Sequence, residues 1–178
     1  MSILESLRKI VQEANSAKNF DEVLNVIVHQ VKNTMDTSVC SVYLYNKKDD
    51  DYVLMASDGL NPDAVGSVCL PSGKGLVGLV ASRAEPINLE EASAHPRFAF
   101  LPETDEQLFP SFLGSPIIHQ RVVLGVLVVQ DKQTRRYDES EESFLVTIAA
   151  QLSGVIAHAN ATGELNRTLN PQDAPTNE

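Results

Sequence analysis

Residues 112–130, FLGSPIIHQRVVLGVLVVQ, hold two apolar runs parted only by His119, Gln120 and Arg121. A connection that short cannot carry a helix, so 112–118 and 122–130 read as antiparallel neighbours in a hairpin. Residues 38–45, SVCSVYLY, are β-branched or aromatic almost throughout, which suits a strand buried on both faces. The charged run from Asn46 to Asp51 turns into another strand over 52–56. Residues 65–70 suit a short strand leading into Pro71-Ser72-Gly73-Lys74-Gly75. Strands joined by hairpins, without helical crossovers, make an antiparallel sheet.

Helical periodicity flanks these strands. Ile3, Leu7, Ile10 and Ala14 form one stripe, and Ser2 with Glu5 fits a capping box. Asn19 and Glu22 open a second helix by the same logic, burying Val23, Leu24, Ile27, Val28 and Val31 and ending near Met35. A short helix is expected from Gly75 to about Ser82. From Glu85 to Pro110 the prolines at 86, 96, 102 and 110 predict surface loops and short helical turns. Asp138, with Glu141 at the box position, starts a long closing helix. Its residues Leu145, Ile148, Leu152, Val155 and Ala159 form a seam able to pair with another helix. The polar stretch 163–178 reads as a flexible linker, leaving residues 1–162 as one domain. The fold class is α+β: a central antiparallel sheet of about six strands, the N- and C-terminal helices on one face, and loops and short helices over a pocket on the other.

Composition limits function. The chain has 178 residues, 43% of them hydrophobic, enough for one core without disulfide or metal. A net charge of −10 opposes binding to nucleic acid and to anionic membranes. No apolar run is expected to approach the ~20 residues of a membrane span. The N-terminus lacks a basic start and apolar block, so the cytoplasm is the expected compartment. Cys40 and Cys69 lie in apolar runs and read as reduced, buried thiols.

Candidate chemistry is sparse. The Gly73-Lys74-Gly75 turn fails as a phosphate loop: the upstream glycine position is Val68, and Gly75 replaces the required Ser or Thr. Free N–H groups ahead of a helix could still hold a carboxylate, against the plainer reading of a turn. None of His29, His95, His119 and His158 has partners at metal-ligand spacing. His95 stands beside Arg97 and Phe98 in the loop-rich segment. Tyr43, Tyr45 and Gln130 put polar tips on apolar strands, where they need either packing partners or a ligand. Neither cysteine has an activating neighbour, and no Gly-x-Ser-x-Gly elbow occurs.

SVCSVYLY, GKGLVGLV ahead of EPINL, and LGSPII with VLGVLVVQ before a long helix resemble a GAF domain, a small-molecule-sensing relative of PAS domains. MDTSVCSVYL, AEPINLEEASAHPRF and LGVLVVQDKQTRRYDESEESFLVTIAAQL are more specific. They are similar to the GAF domains that precede nitrogen-related phosphoenolpyruvate–protein phosphotransferases. That resemblance implies a catalytic region beyond this chain, which uses magnesium and passes phosphate to a phosphocarrier protein. It implies that this domain regulates the transfer in response to glutamine or 2-oxoglutarate. No active-site histidine motif of that class is present, so the chain itself is expected to be catalytically inert and to need no cofactor. The Cys–His pair of bilin-binding relatives, the Asn-Lys-x-Asp-Glu signature of cyclic-nucleotide relatives and the clustered cysteines of the methionine sulfoxide reductases are missing.

The expected site takes an amino acid or 2-oxo acid. Backbone amides at Gly73, Lys74 and Gly75 receive its carboxylate, and Tyr43, His95, Arg97 and Gln130 line it. Two alternatives compete: a homodimer built on the terminal helices with no ligand, and a redox enzyme working through Cys69.

Overall fold

Capping side chains set where the long helices begin. Helix α1 (Ile3–Asn15) starts on a capping box in which Ser2 and Glu5 accept each other's backbone N–H, both at 3.2 Å. In α2 (Phe20–Met35) Asn19 accepts from the Glu22 N–H at 2.9 Å, but Glu22 reaches back to the Lys18 N–H and closes no reciprocal box. Helix α4 (Glu139–Thr162) opens on a full box between Asp138 and Glu141. The computed structural model describes residues 2–98 and 109–173.

Between the helices lie β1 (Val39–Asn46), β2 (Asp51–Asp58), β3 (Cys69–Pro71), helix α3 (Gly75–Arg83), β4 (Ile87–Leu89), β5 (Ser111–His119) and β6 (Val122–Asp131). They form one six-stranded sheet in the order β3-β2-β1-β6-β5-β4, antiparallel at every pairing. The hairpin over 111–131 forms as the sequence predicts, and β1 is buried along nearly its whole length. Gly125 is required beside β1, because a Cβ there would stand 2.3 Å from the Tyr43 carbonyl oxygen. Pro116 is tolerated in β5 because β4 pairs only as far as Gly114, leaving no ladder on that side for its missing N–H.

Alternation divides the core. Cys40, Val42, Leu44, Leu127 and Val129 face α1, α2 and α4, while Val39, Tyr43, Val126 and Val128 face α3 and the loops. This is the two-sided architecture the sequence predicts.

Five expectations are corrected. Residues 65–70 do not form one regular strand: the ladder with β2 covers only Cys69–Pro71, and before it Leu54 of β2 accepts the Gly66 N–H at 2.7 Å and donates to the Val68 carbonyl at 3.0 Å. The segment 85–110 is not wholly loop, because β4 follows Pro86 directly, where a proline removes no ladder bond. The part of that segment at 99–108 lies outside the described residues. Of the stripe Leu145, Ile148, Leu152, Val155 and Ala159, all but the partly buried Val155 are spent in the helix-side core of the chain itself. Helix α4 is long and apolar enough to cross a membrane by length and composition, with a mean hydropathy of 1.4, although no such run was expected. Its alanines raise that value, while its inner side packs on the sheet as a core helix does.

The fifth concerns the tail. Residues 163–173 are not a loose linker. Gly163, at φ +82°, stops α4 and turns the chain into helix α5 (Glu164–Leu169). Leu165 is buried, and Glu164 accepts the Phe20 N–H at 3.3 Å. Asn170 exchanges side-chain amide hydrogen bonds with Asn46, at 3.0 and 3.2 Å, both residues being fully enclosed. Leu165 and this amide pair supply the burial that the polar composition hides.

Candidate functional site

The loop-side face of the sheet carries the residues singled out in the sequence, and it holds them in separate groups. Gly73 (φ +81°) and Gly75 (φ +67°) take left-handed backbone, which tightens the approach to α3. Gly78 must also be glycine, since a Cβ there would lie 2.8 Å from the Gly73 carbonyl carbon. No side chain caps α3. The Lys74 N–H is already used by the Pro71 carbonyl at 3.1 Å, so it is not a free anion donor.

Arg97 reaches this turn, but for its oxygen: the guanidinium donates to the Gly73 carbonyl. The Arg97 N–H donates to His95 Nδ1 at 3.0 Å, so that nitrogen is the acceptor and Nε2 carries the ring hydrogen. Arg97 therefore meets the glycine turn as a clasp that pins the loop segment to it, and His95 holds the Arg97 backbone. The contact accounts for Arg97 without a ligand.

Tyr43 lies mid-strand on the same face, packed in one cluster with Leu76, Val77 and Val80. Gln130 stands at the far end. It pairs with Val39 at the start of β1, whereas Asn46 at the end of β1 pairs with Asp51, which pairs with Pro71. Seven residues of strand separate these rows, roughly 23 Å at 3.3 Å per residue. The expected lining residues thus fall into two groups, one at Gln130 and one at the glycine turn, toward opposite ends of β1.

Gln130 is the stronger of the two. It is 4% exposed, and its Oε1 has no hydrogen-bond partner among the described residues. Its backbone is firmly held. The Thr37 hydroxyl donates to the Gln130 carbonyl at 2.7 Å, and the Tyr137 hydroxyl lies 2.6 Å from the Thr37 oxygen. Since Thr37 has one hydrogen, Tyr137 is the donor in that contact. Burial pushes the Tyr137 phenol up to about 12. Asn88 in β4 donates to the Tyr137 carbonyl at 2.7 Å, its own Oδ1 being buried and unpartnered. Sequence reading missed Thr37, Asn88 and Tyr137. Their only signal is a polar group beside an apolar strand, which many surface residues share.

The cysteines do not support redox chemistry. Cys40 is buried at mid-strand, and burial drives its thiol far up. Cys69, against expectation, is exposed, and burial of its sulfur together with the Asp51 carboxylate raises it, disfavouring the reactive thiolate. Among the described residues no His, Cys, Asp and Glu side chains gather into a metal-holding group.

A helix-backed antiparallel sheet with loops and a short helix over its opposite face is the architecture of the GAF class. The GAF-domain family model matches residues 19–156, and the chain belongs to that family. Within it, the chain is 51% identical to the GAF domain of an Acinetobacter phosphoenolpyruvate-protein phosphotransferase, covering 92% of this chain and 99% of that one with a TM-score of 0.84. It is 42% identical to the corresponding domain (ptsP) from Coxiella burnetii, covering 92% and 97% with a TM-score of 0.88. It is also 47% identical over 160 residues to a Salmonella typhimurium protein described as "Phosphoenolpyruvate-dependent phosphotransferase system". That match takes in 90% of this chain and 21% of the relative, so the chain spans about one fifth of the length of the curated relative.

Proposed function

We propose that this chain is the regulatory GAF domain of a nitrogen-responsive, cytoplasmic phosphoenolpyruvate–protein phosphotransferase, and that it binds a small amino acid at Gln130. The chain itself carries out no catalysis. Phosphate transfer to a phosphocarrier protein, with magnesium, belongs to the rest of the longer protein. The buried Gln130 Oε1 without a partner carries the ligand assignment. A buried acceptor left unpaired costs about 1–3 kcal/mol, which a bound donor recovers. Glutamine brings an ammonium and an amide N–H; 2-oxoglutarate at neutral pH brings acceptors only. The site therefore selects glutamine.

Thermal unfolding with each metabolite separates them. At about 100 times its dissociation constant a ligand stabilises the fold by about 2.7 kcal/mol, or roughly 2–4 °C here. A rise with glutamine and none with 2-oxoglutarate is expected. A rise with 2-oxoglutarate alone would overturn the choice of ligand.

A second reading, homodimerisation, has one observation in its favour. The outer side of α4 exposes Val146, Ala150, Gly154 and Ala161, a row of small or apolar residues at helical spacing. Sedimentation at high micromolar concentration decides it, a monomer removing this reading.

A further inference from the structure

On the helix side of the sheet, at the end opposite Gln130, α5 arches over a cavity of about 430 Å³. That volume lies within the ~300–1,000 Å³ of small-ligand sites. Leu165 and Leu169 of α5 form one wall, and Val122 and Leu124 of β6 form another. Val122 is 58% exposed, among the most exposed large apolar residues described, and internal packing does not account for it. The rim is cationic. Lys47 and Lys48, in the turn between β1 and β2, stand at the mouth. Lys47 makes no hydrogen bond or ion pair among the described residues. Asp49, Asp50 and Asp51 follow in the same turn, but only Lys47 and Lys48 of that run line the hollow, so the charge facing it is positive.

We propose that this cavity is a second effector site, separate from Gln130, that takes a medium-chain carboxylate. The alkyl chain lies along Leu165, Leu169 and Val122, and the carboxylate meets the Lys47 and Lys48 ammonium groups. An alkylamine fits the walls but is repelled at the rim. Inorganic phosphate fits the rim but leaves the alkyl wall wet. Because half of the wall belongs to α5, the bound acid holds α5 against the hairpin end of the sheet. Occupancy and the docking of the tail are then one equilibrium.

Titration of the chain with butanoate, hexanoate and octanoate tests this, followed by methyl NMR of Leu165 and Leu169, with hexanol and hexylamine as controls. Saturable shifts at both leucines are expected, with affinity rising roughly fourfold per added methylene until the wall is covered. Hexylamine and hexanol should bind at least tenfold more weakly than hexanoate. Lys47→Glu, in an exposed turn, should weaken hexanoate at least tenfold, and Val122→Asp likewise, while Gln130→Leu leaves it unchanged. Equal binding of hexanol and hexanoate would overturn the proposal. So would shifts confined to Val126 and Val128 on the other face, or full affinity in both the Lys47 and Val122 variants.

Discussion

Gln130 and Tyr137 show how much a single buried polar atom decides. Gln130 Oε1 is desolvated without a partner in the free chain, so an apolar replacement of similar volume removes a cost and loses no described bond of that atom. Gln130→Leu is expected to raise the unfolding free energy by about 1–3 kcal/mol and to abolish the glutamine response. Urea unfolding with and without glutamine checks both at once. Tyr137 has the opposite character, being buried as a neutral phenol with its pKa raised from 10.0 to about 12. For a raised pKa the stabilisation is complete below the unfolded-state value and is lost as pH climbs through the folded-state value. About 2–3 kcal/mol should therefore disappear between pH 10 and 12. Denaturation of Tyr137→Phe across that range should show a correspondingly flatter profile, at the expense of the hydrogen bond to Thr37.

Arg135 ties three elements together. It donates to Asp131 at the end of β6 at 3.0 Å, to Glu141 in α4 at 2.6 Å, and to the Met35 and Asp36 carbonyls at the end of α2, its guanidinium lying 4.3 Å from the Tyr137 ring centroid. Arg135→Ala takes the donor from Asp131 Oδ2 and from the carbonyls at the end of α2 together, leaving Asp131 Oδ1 on Ser38 and Gln133. A loss of about 2–3 kcal/mol in chemical denaturation is expected. None of this was legible in the run QTRRYD, where Arg135 and Arg136 look alike. Strands 111–119 and 122–131 and all three long helices were legible, because period and caps are local properties. Strand β4 was not: three residues carry no period, and they pair only because β5 presents an open edge. The site fared likewise. His95 and Arg97 are neighbours in sequence and could be singled out together, but the Arg97 bond to Gly73 spans 24 residues and is a product of the fold. Placing Gln130 needed the register of β1 against two partners, which no local pattern encodes.

For the whole molecule, the last turn of chain is as much part of the fold as the sheet. Asn46 and Asn170 are 124 residues apart and satisfy each other's amides in a buried setting. Asn170→Ala leaves Asn46 half-paired, so α5 should detach while the sheet stays intact. Hydrogen exchange should speed at Lys48 and along 164–170, with β1 and β6 unchanged. Global unfolding in step with the tail would show instead that α5 is integral to core stability. The two outer strands of the sheet carry a different consequence. Each is three residues long, Pro71 ends one and Pro86 immediately precedes the other. A sheet finished that way offers almost no open ladder for a foreign strand. Crowded copies therefore find only short templates on which to pair, and the stretch of β5 left uncovered beyond Gly114 is interrupted by Pro116, which has no N–H to offer a foreign strand.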